Sequence, residues 1–227
     1  MKAMILAAGR GERLRPLTEN VPKALVSAGG KPLIAWHLER LAASGCREAV
    51  INVSHLGERI VERLGDGARY GLAIAYSRER EPLETAGGIA NALGLLGEQP
   101  FLLVNGDVYC EYDFLQLQKM NLGESLAHLV LIPNPPHHPG GDFTLEAGVV
   151  GNRPAPRYTY SGIAVMSPAL LAGVPAGEKA PLAPLLRAAA ERRRITGELY
   201  AGVWQDVGTS ERLAELEARL ASKHADR

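Results

Sequence analysis

Two cysteines, Cys46 and Cys110, are all that the 227 residues carry, and they stand far apart. Such a pair fits neither a metal ligand set nor a disulfide framework, and it suits a reducing, cytoplasmic compartment. Long apolar runs are also lacking. Nothing approaches the roughly 20 residues that a helix needs to cross a bilayer, so no membrane partner is expected. The opening Met1–Ala8 is too short in apolar length for a secretory signal, and it runs straight into a glycine turn. Net charge is missing too. Lys+Arg and Asp+Glu both number 25, which leaves no global basic field to gather nucleic acid or an anionic membrane. Phosphate binding would have to come from local cations and backbone N–H groups. There are no internal repeats, and low complexity is confined to one proline-rich stretch.

What is present is ordinary globular material, with 46% hydrophobic and 22% charged residues and enough chain for a substantial core. Short apolar runs predict strands at 2–7, 49–53, 73–76, 101–104, 126–132, 162–166 and 199–204. Helical spacing falls between them at 32–44, 57–64, 85–96, 114–120, 180–194 and 210–221. Strand–helix alternation predicts one domain over 1–227, a mostly parallel sheet with helices on both faces. Ligands of such sheets sit beyond the carboxyl ends of the strands. The alternation breaks at 133–156, where Pro133, Pro135, Pro136 and Pro139 forbid helix or central strand. This segment reads as a loop or β excursion over the site.

Four constellations carry chemistry, three at strand ends and one opening a helix. In the first, Leu6-Ala7-Ala8-Gly9-Arg10-Gly11-Glu12-Arg13-Leu14-Arg15-Pro16-Leu17-Thr18 is followed by Pro22-Lys23-Ala24-Leu25. Gly9 and Gly11 let backbone N–H groups approach a polyphosphate, and Arg10, Arg13, Arg15 and Lys23 supply four cations. No G-x-G-x-x-G and no Gly-Lys-Ser/Thr is present here, which argues against a dinucleotide fold or a P-loop. Taken alone, the segment also fits a surface loop with solvated arginines. The second is Asn105-Gly106-Asp107 after an apolar strand, a place for a Mg²⁺ carboxylate or simply a turn. The third is Trp204-Gln205-Asp206-Val207-Gly208-Thr209, in which Thr209 suits a helix cap. The fourth is Glu81-Pro82-Leu83-Glu84-Thr85-Ala86-Gly87-Gly88-Ile89, whose glycines permit close approach of a flat ring or a sugar at a helix start.

Together these strings resemble the signature of the sugar-1-phosphate nucleotidyltransferases, and the resemblance runs over nearly the whole chain. Within that family the Leu-Glu-Thr-x-Gly-Gly-Ile segment and Asn134-Pro135-Pro136-His137-His138-Pro139 look like the uridylyltransferases that act on muramate sugars. Thr-Ala-Gly also occurs in guanylyl- and thymidylyl-transferring relatives. The resemblance implies a Rossmann-like three-layer α/β/α sandwich with a mixed, mostly parallel sheet. It implies nucleotide binding by Ala8, Gly9, Arg10, Gly11, Arg13, Lys23, Glu84, Thr85, Gly87 and Gly88. Arg13, Lys23 and Asp107 are implied as catalytic, and Asp107 with Asp206 as ligands of Mg²⁺. Asn105, Asp142, Gly148, Arg153 and Ser161 are implied for the sugar phosphate. Arg153 stands in for a Glu-Lys-Pro lysine that this chain lacks. His137 and His138, neighbours in an extended loop, point in divergent directions and do not suit a shared metal. With one helix past Asp206 in the sequence, the β-helix that makes some relatives acyltransferases is not expected.

The partners implied are UTP or another nucleoside triphosphate and a sugar 1-phosphate, in cell-wall sugar recycling. Guanylyl transfer to mannose- or heptose-type phosphates and uridylyl or thymidylyl transfer to glucose 1-phosphate are the rival chemistries. A nucleotide-sensing module is the non-enzyme rival, and it would be expected to lose an aspartate or Lys23. Monomer and homodimer are both open.

Overall fold

The computed structural model describes residues 1–154 and 156–225; Ala155, within the expected excursion, lies outside the described residues. The first half contains β1 (Ala3–Leu6), β2 (Ser27–Ala28), β3 (Lys31–Pro32), α1 (Leu33–Ala43), β4 (Glu48–Val53), α2 (Gly57–Leu64), β5 (Ala73–Arg78), α3 (Glu84–Leu96) and β6 (Phe101–Asn105). There follow β7 (Val108–Cys110), α4 (Leu115–Gln118), β8 (Ala127–Ile132), β9 (Thr144–Glu146), β10 (Val149–Gly151) and β11 (Thr159–Met166). The chain closes with α5 (Leu182–Glu191), β12 (Ile195–Leu199), β13 (Trp204–Asp206) and α6 (Ser210–Ala225).

Nine strands form one sheet in the order β5-β4-β1-β6-β11-β8-β12-β10-β9. The pairings run β5, β4, β1, β6, β8, β12 and β9 in one direction, with β11 and β10 against it. The sheet is therefore mixed and mostly parallel, as alternation predicted. Period-two alternation of the central strands explains the layers. Ala3, Ile5, Leu102 and Val104 pack on one face with Ile34 and Leu38 of α1 and Ile60 of α2. Met4, Phe101 and Leu103 pack on the other with Ile89 of α3 and Leu186 of α5. A third cluster joins Leu213, Leu216 and Leu220 of α6 to Leu14, Val26 and Tyr109. That cluster anchors the glycine–arginine loop, through Leu14, to the end of the chain.

One expected strand is displaced. The run at 199–204 is a connection: β12 ends at Leu199 and β13 begins at Trp204. Tyr200 folds back to donate to the Val203 carbonyl at 3.4 Å, and a Cβ at Gly202 would lie 2.3 Å from the Tyr200 Oη. That close approach needs glycine and turns the chain out of the large sheet into the β7–β13 ribbon. The preceding helix also stops early, at Glu191, with Arg193 in the left-handed region at φ 56°. Residues 195–199 thereby form the β12 strand that pattern reading missed.

Candidate active site

The parallel register sets Leu6 level with Asn52 on one side and Asn105 on the other. Their carboxyl ends make the rim of a cavity of about 230 Å³, bordered by Ala8, Gly9, Lys23, Glu84, Thr85 and Asp107 among others. The strand-end rule thus brings the first two sequence constellations to one place, and the start of α3 brings the fourth.

The glycine–arginine loop is held from inside. Ala7 N–H donates to Asn52 Oδ1 at 2.8 Å, Asn52 Nδ2 donates to Glu79 Oε1 at 2.7 Å, and Glu79 Oε2 accepts the Leu83 N–H at 2.9 Å. This buried chain of bonds links the start of the loop to the segment opening α3. Gly11 is left-handed at φ 66°, and a Cβ there would meet Thr18 Cγ2 at 3.0 Å and Lys23 Cβ at 3.1 Å. Thr18 Oγ1 locks the turn by donating to the Gly11 carbonyl at 2.7 Å. Nothing lies within 4 Å of a Cβ at Gly9, which leaves the loop backbone open on that side. Arg10, Arg13 and Arg15 stand exposed around it.

Lys23 reaches from the loop to Asp107, with Nζ 2.6 Å from Oδ2. Asp107 follows β6 because Gly106 lets its backbone approach β1: a Cβ there would lie 2.6 Å from the Leu6 carbonyl. The far-apart Asp206 arrives beside it through the β7–β13 ribbon. Asp206 pairs with Val108, and Val207 N–H donates to the Asp107 carbonyl at 2.8 Å. His37, buried in α1, donates from Nε2 to the Val108 carbonyl at 2.5 Å, bracing the same strand. Burial holds His37 at a pKa of about 4, well below its usual 6.5.

Asp206 is unevenly satisfied. Oδ2 accepts from Arg212 Nη1 in α6. Oδ1 lies 3.1 Å from His137 Nε2, but that nitrogen sits 3.1 Å from Arg212 Nη1, which can only donate. His137 Nε2 then offers a lone pair, and Asp206 Oδ1 is buried without a hydrogen-bond partner among the described residues. An orphaned carboxylate oxygen on a strand whose backbone bonds to that of Asp107 fits a hard cation. Among the described residues no group of three or more His, Cys, Asp or Glu gathers as a cage. Such a cation would draw its other ligands from phosphate and water, which is how Mg²⁺ is usually held.

A second cavity, of about 450 Å³, shares Glu84, Thr85 and Asn105 with the first and extends to Asp142, Tyr160 and Arg187. A bulge in β11 between Tyr160 and Ile163 shapes its wall. Gly162, left-handed at φ 80°, leaves room for Asn105, whose Nδ2 would be 2.6 Å from a Cβ. Glu84 at the seam also has φ 61°, a conformation costly for a non-glycine residue and concentrated at functional sites.

Several expected residues lie elsewhere. Gly87 and Gly88 do not border either cavity. A Cβ on Gly87 would come within 2.2 Å of the Glu178 carbonyl, and one on Gly88 within 2.7 Å of Glu79 Oε1. They serve helix packing, and Glu84 and Thr85 border the space instead. Ser161 is buried and spends its hydroxyl on the Val130 carbonyl at 2.7 Å. Gly148 follows β9 at the sheet's far edge. Arg153 is paired with Glu146 at 2.9 Å and borders a separate surface cavity. The two loop histidines part company, His137 toward Asp206 and His138 to Asp142 at 3.1 Å. Thr209 caps α6, accepting the Arg212 N–H at 3.4 Å. Pattern reading missed Asn52, Glu79, Arg212 and Arg187. The strand-end rule applies equally to Asn52 and Glu79, which close β4 and β5, so that signal was available.

A mixed nine-stranded sheet with a cation-rich glycine loop and one aspartate at its carboxyl edge, joined by a second from the β7–β13 ribbon, defines a nucleotidyl-transferring enzyme. The chain belongs to the nucleotidyl transferase family, whose model matches residues 2–143. It is 51% identical to N-acetylmuramate alpha-1-phosphate uridylyltransferase of Neisseria meningitidis serogroup B, over 96% of this chain and 97% of that relative. The protein of the same description from Caulobacter vibrioides is 36% identical over 96% of both chains. Mannose-1-phosphate guanyltransferase of Schizosaccharomyces pombe is 33% identical over 92% of this chain, but the chain spans 61% of that relative. Among solved structures, a UDP-glucose pyrophosphorylase complexed with UDP-glucose superposes with a TM-score of 0.78 at 19% identity, covering 98% of each chain. HddC from Yersinia pseudotuberculosis complexed with GMP-PN gives 0.76 at 21% identity, covering 96% and 98%. These two establish the fold. No helix among the described residues is long and apolar enough to cross a membrane.

Proposed function

We propose that the protein transfers a uridylyl group from UTP to N-acetylmuramate 1-phosphate, giving UDP-N-acetylmuramate and pyrophosphate, as a cytoplasmic enzyme of cell-wall sugar recycling. The observation that carries this reading is the 51% identity to a uridylyltransferase of that description over essentially the full length of both chains. The guanyltransferase relative is longer and less similar.

In this reading the backbone from Ala8 to Gly11, with Arg10, Arg13 and Lys23, cradles the triphosphate, and Glu84 and Thr85 border the nucleoside. The cavity beyond Asn105 receives the acceptor sugar. An acceptor phosphate oxygen attacks the α-phosphorus, the bond to the bridging oxygen breaks, and pyrophosphate leaves. The nucleophile is already an anion, so no general base is needed, and the chain's task is alignment and charge neutralisation. Asp107 and Asp206 would hold Mg²⁺, which supplies charge compensation on the phosphates. Lys23 fixes Asp107, Arg212 fixes Asp206, and the exposed arginines stabilise charge accumulating on the leaving group.

Pyrophosphate release measured across UTP, GTP and dTTP against N-acetylmuramate, mannose and glucose 1-phosphates tests the proposal. UTP with N-acetylmuramate 1-phosphate is expected to give the highest kcat/KM, and a higher value for any other pair would overturn the assignment.

A further inference from the structure

The second cavity is bordered by a cation that has no protein partner among the described residues. Arg187 stands exposed on α5 at its edge, and among the described residues it takes part in no ion pair or side-chain hydrogen bond. Asp142, which borders the same cavity, is already engaged: its Oδ2 accepts the Tyr160 N–H at 2.8 Å, and Oδ1 lies 3.1 Å from His138 Nε2. Glu84 belongs to the seam with the first cavity. The rest of the wall near Arg187 is apolar, with Phe143, Leu182 and Leu186 buried.

Geometry then orders an acceptor along this space. Its reacting phosphate must sit at the seam, near Asn105 and Asp107, because that is where the donor phosphates are. Its far end consequently reaches the wall that holds Arg187. A guanidinium presents parallel N–H donors that match a planar carboxylate. We propose that Arg187 determines acceptor specificity by binding a carboxylate borne by the sugar, remote from its 1-phosphate. This rests on the uridylyl-transfer reading above, in which the acceptor is a muramate and carries such a group on its lactyl ether. It adds a named residue that separates acidic from neutral sugars.

The test measures kcat and KM with UTP for wild type, Arg187→Ala and Arg187→Lys. The acceptors are N-acetylmuramate 1-phosphate, its lactyl methyl ester, and N-acetylglucosamine 1-phosphate. Charge-assisted pairing predicts that Arg187→Ala loses roughly 10- to 100-fold in kcat/KM for the acid, mainly through KM. For the ester and the neutral sugar the loss should stay within about twofold, and the KM for UTP should not move. Arg187→Lys, keeping charge but not the fork, should fall between. An equal loss on all three acceptors would show a merely structural role, and no loss on the acid would refute the pairing. Wild-type enzyme inactive on the acid yet active on another acceptor would instead remove the underlying functional reading, and this proposal with it.

Discussion

Replacing Asp107 with asparagine separates what this carboxylate does for the fold from what it does for the reaction. Its partner in the protein is Lys23, at 2.6 Å, but the Asp107 side chain is 40% exposed. A pair that open to solvent contributes at most about 1 kcal/mol to stability. In a chain of this length that amounts to roughly 2–4 °C in Tm. The hydrogen bond from Val207 uses the Asp107 backbone and survives the change. Turnover is another matter. Losing one preorganised electrostatic contact to a transition state typically costs about 100- to 1,000-fold in kcat, or some 3–4 kcal/mol. Asp206→Asn should lower turnover comparably yet cost more stability, about 2 kcal/mol, because Asp206 itself is only 22% exposed and its partner Arg212 15%. Pyrophosphate release at saturating substrates, run beside thermal melts and a Mg²⁺ titration, reads all three effects. Asp107→Asn turnover within tenfold of wild type would refute the metal-ligand reasoning. So would a loss of activity that merely tracked a large drop in Tm.

Other perturbations probe the scaffold of the site. Gly88→Ala puts a methyl 2.7 Å from Glu79 Oε1 and 2.8 Å from Asn52 Nδ2. It should therefore destabilise by about 1–3 kcal/mol and raise KM for the nucleotide, measured by urea titration and kinetics. Glu84→Gly relieves a left-handed glutamate at φ 61°; Tm should hold or rise while kcat/KM falls, and a clear drop in Tm would contradict stored strain. His37 gives the pH dependence. Its folded-state pKa of about 4 lies below the usual 6.5, so the unfolded chain takes up the proton first. The contribution is fully present above pH 6.5 and is lost as pH falls toward 4, up to about 3 kcal/mol. His128 is lowered by burial in the same direction. His37→Gln should therefore flatten, without abolishing, the fall in urea midpoint between pH 7 and 4.5.

Much of this architecture was legible in residue order because local rules decided it. Alternating apolar runs produced β1, β4 and β6, and the strand-end rule brought Gly9, Asp107 and Asn105 to one rim. Convergence of Asp206 on Asp107 followed the family pattern, but its means, the β7–β13 ribbon, depends on Gly202 turning the chain after Leu199. Pattern alone read that stretch as one strand. Residues whose role depends on distant partners were not legible. Gly87 and Gly88 look like ligand-facing glycines, yet their neighbours are the 178–180 segment and the Glu79–Asn52 pair. Arg153 looks available in sequence, but the β9–β10 hairpin carries it to the sheet edge, where Glu146 takes its charge. Arg187 sits in an ordinary amphipathic helix, and only the fold shows that it borders the second cavity.

The central claim is best tested by incubating the protein with UTP and N-acetylmuramate 1-phosphate and identifying the products by mass spectrometry as Mg²⁺ is withdrawn and restored. The account predicts UDP-N-acetylmuramate and pyrophosphate in equal amounts, lost with chelator and recovered with Mg²⁺. Absence of the UDP-sugar in the presence of Mg²⁺, or its undiminished formation after chelation, would contradict it.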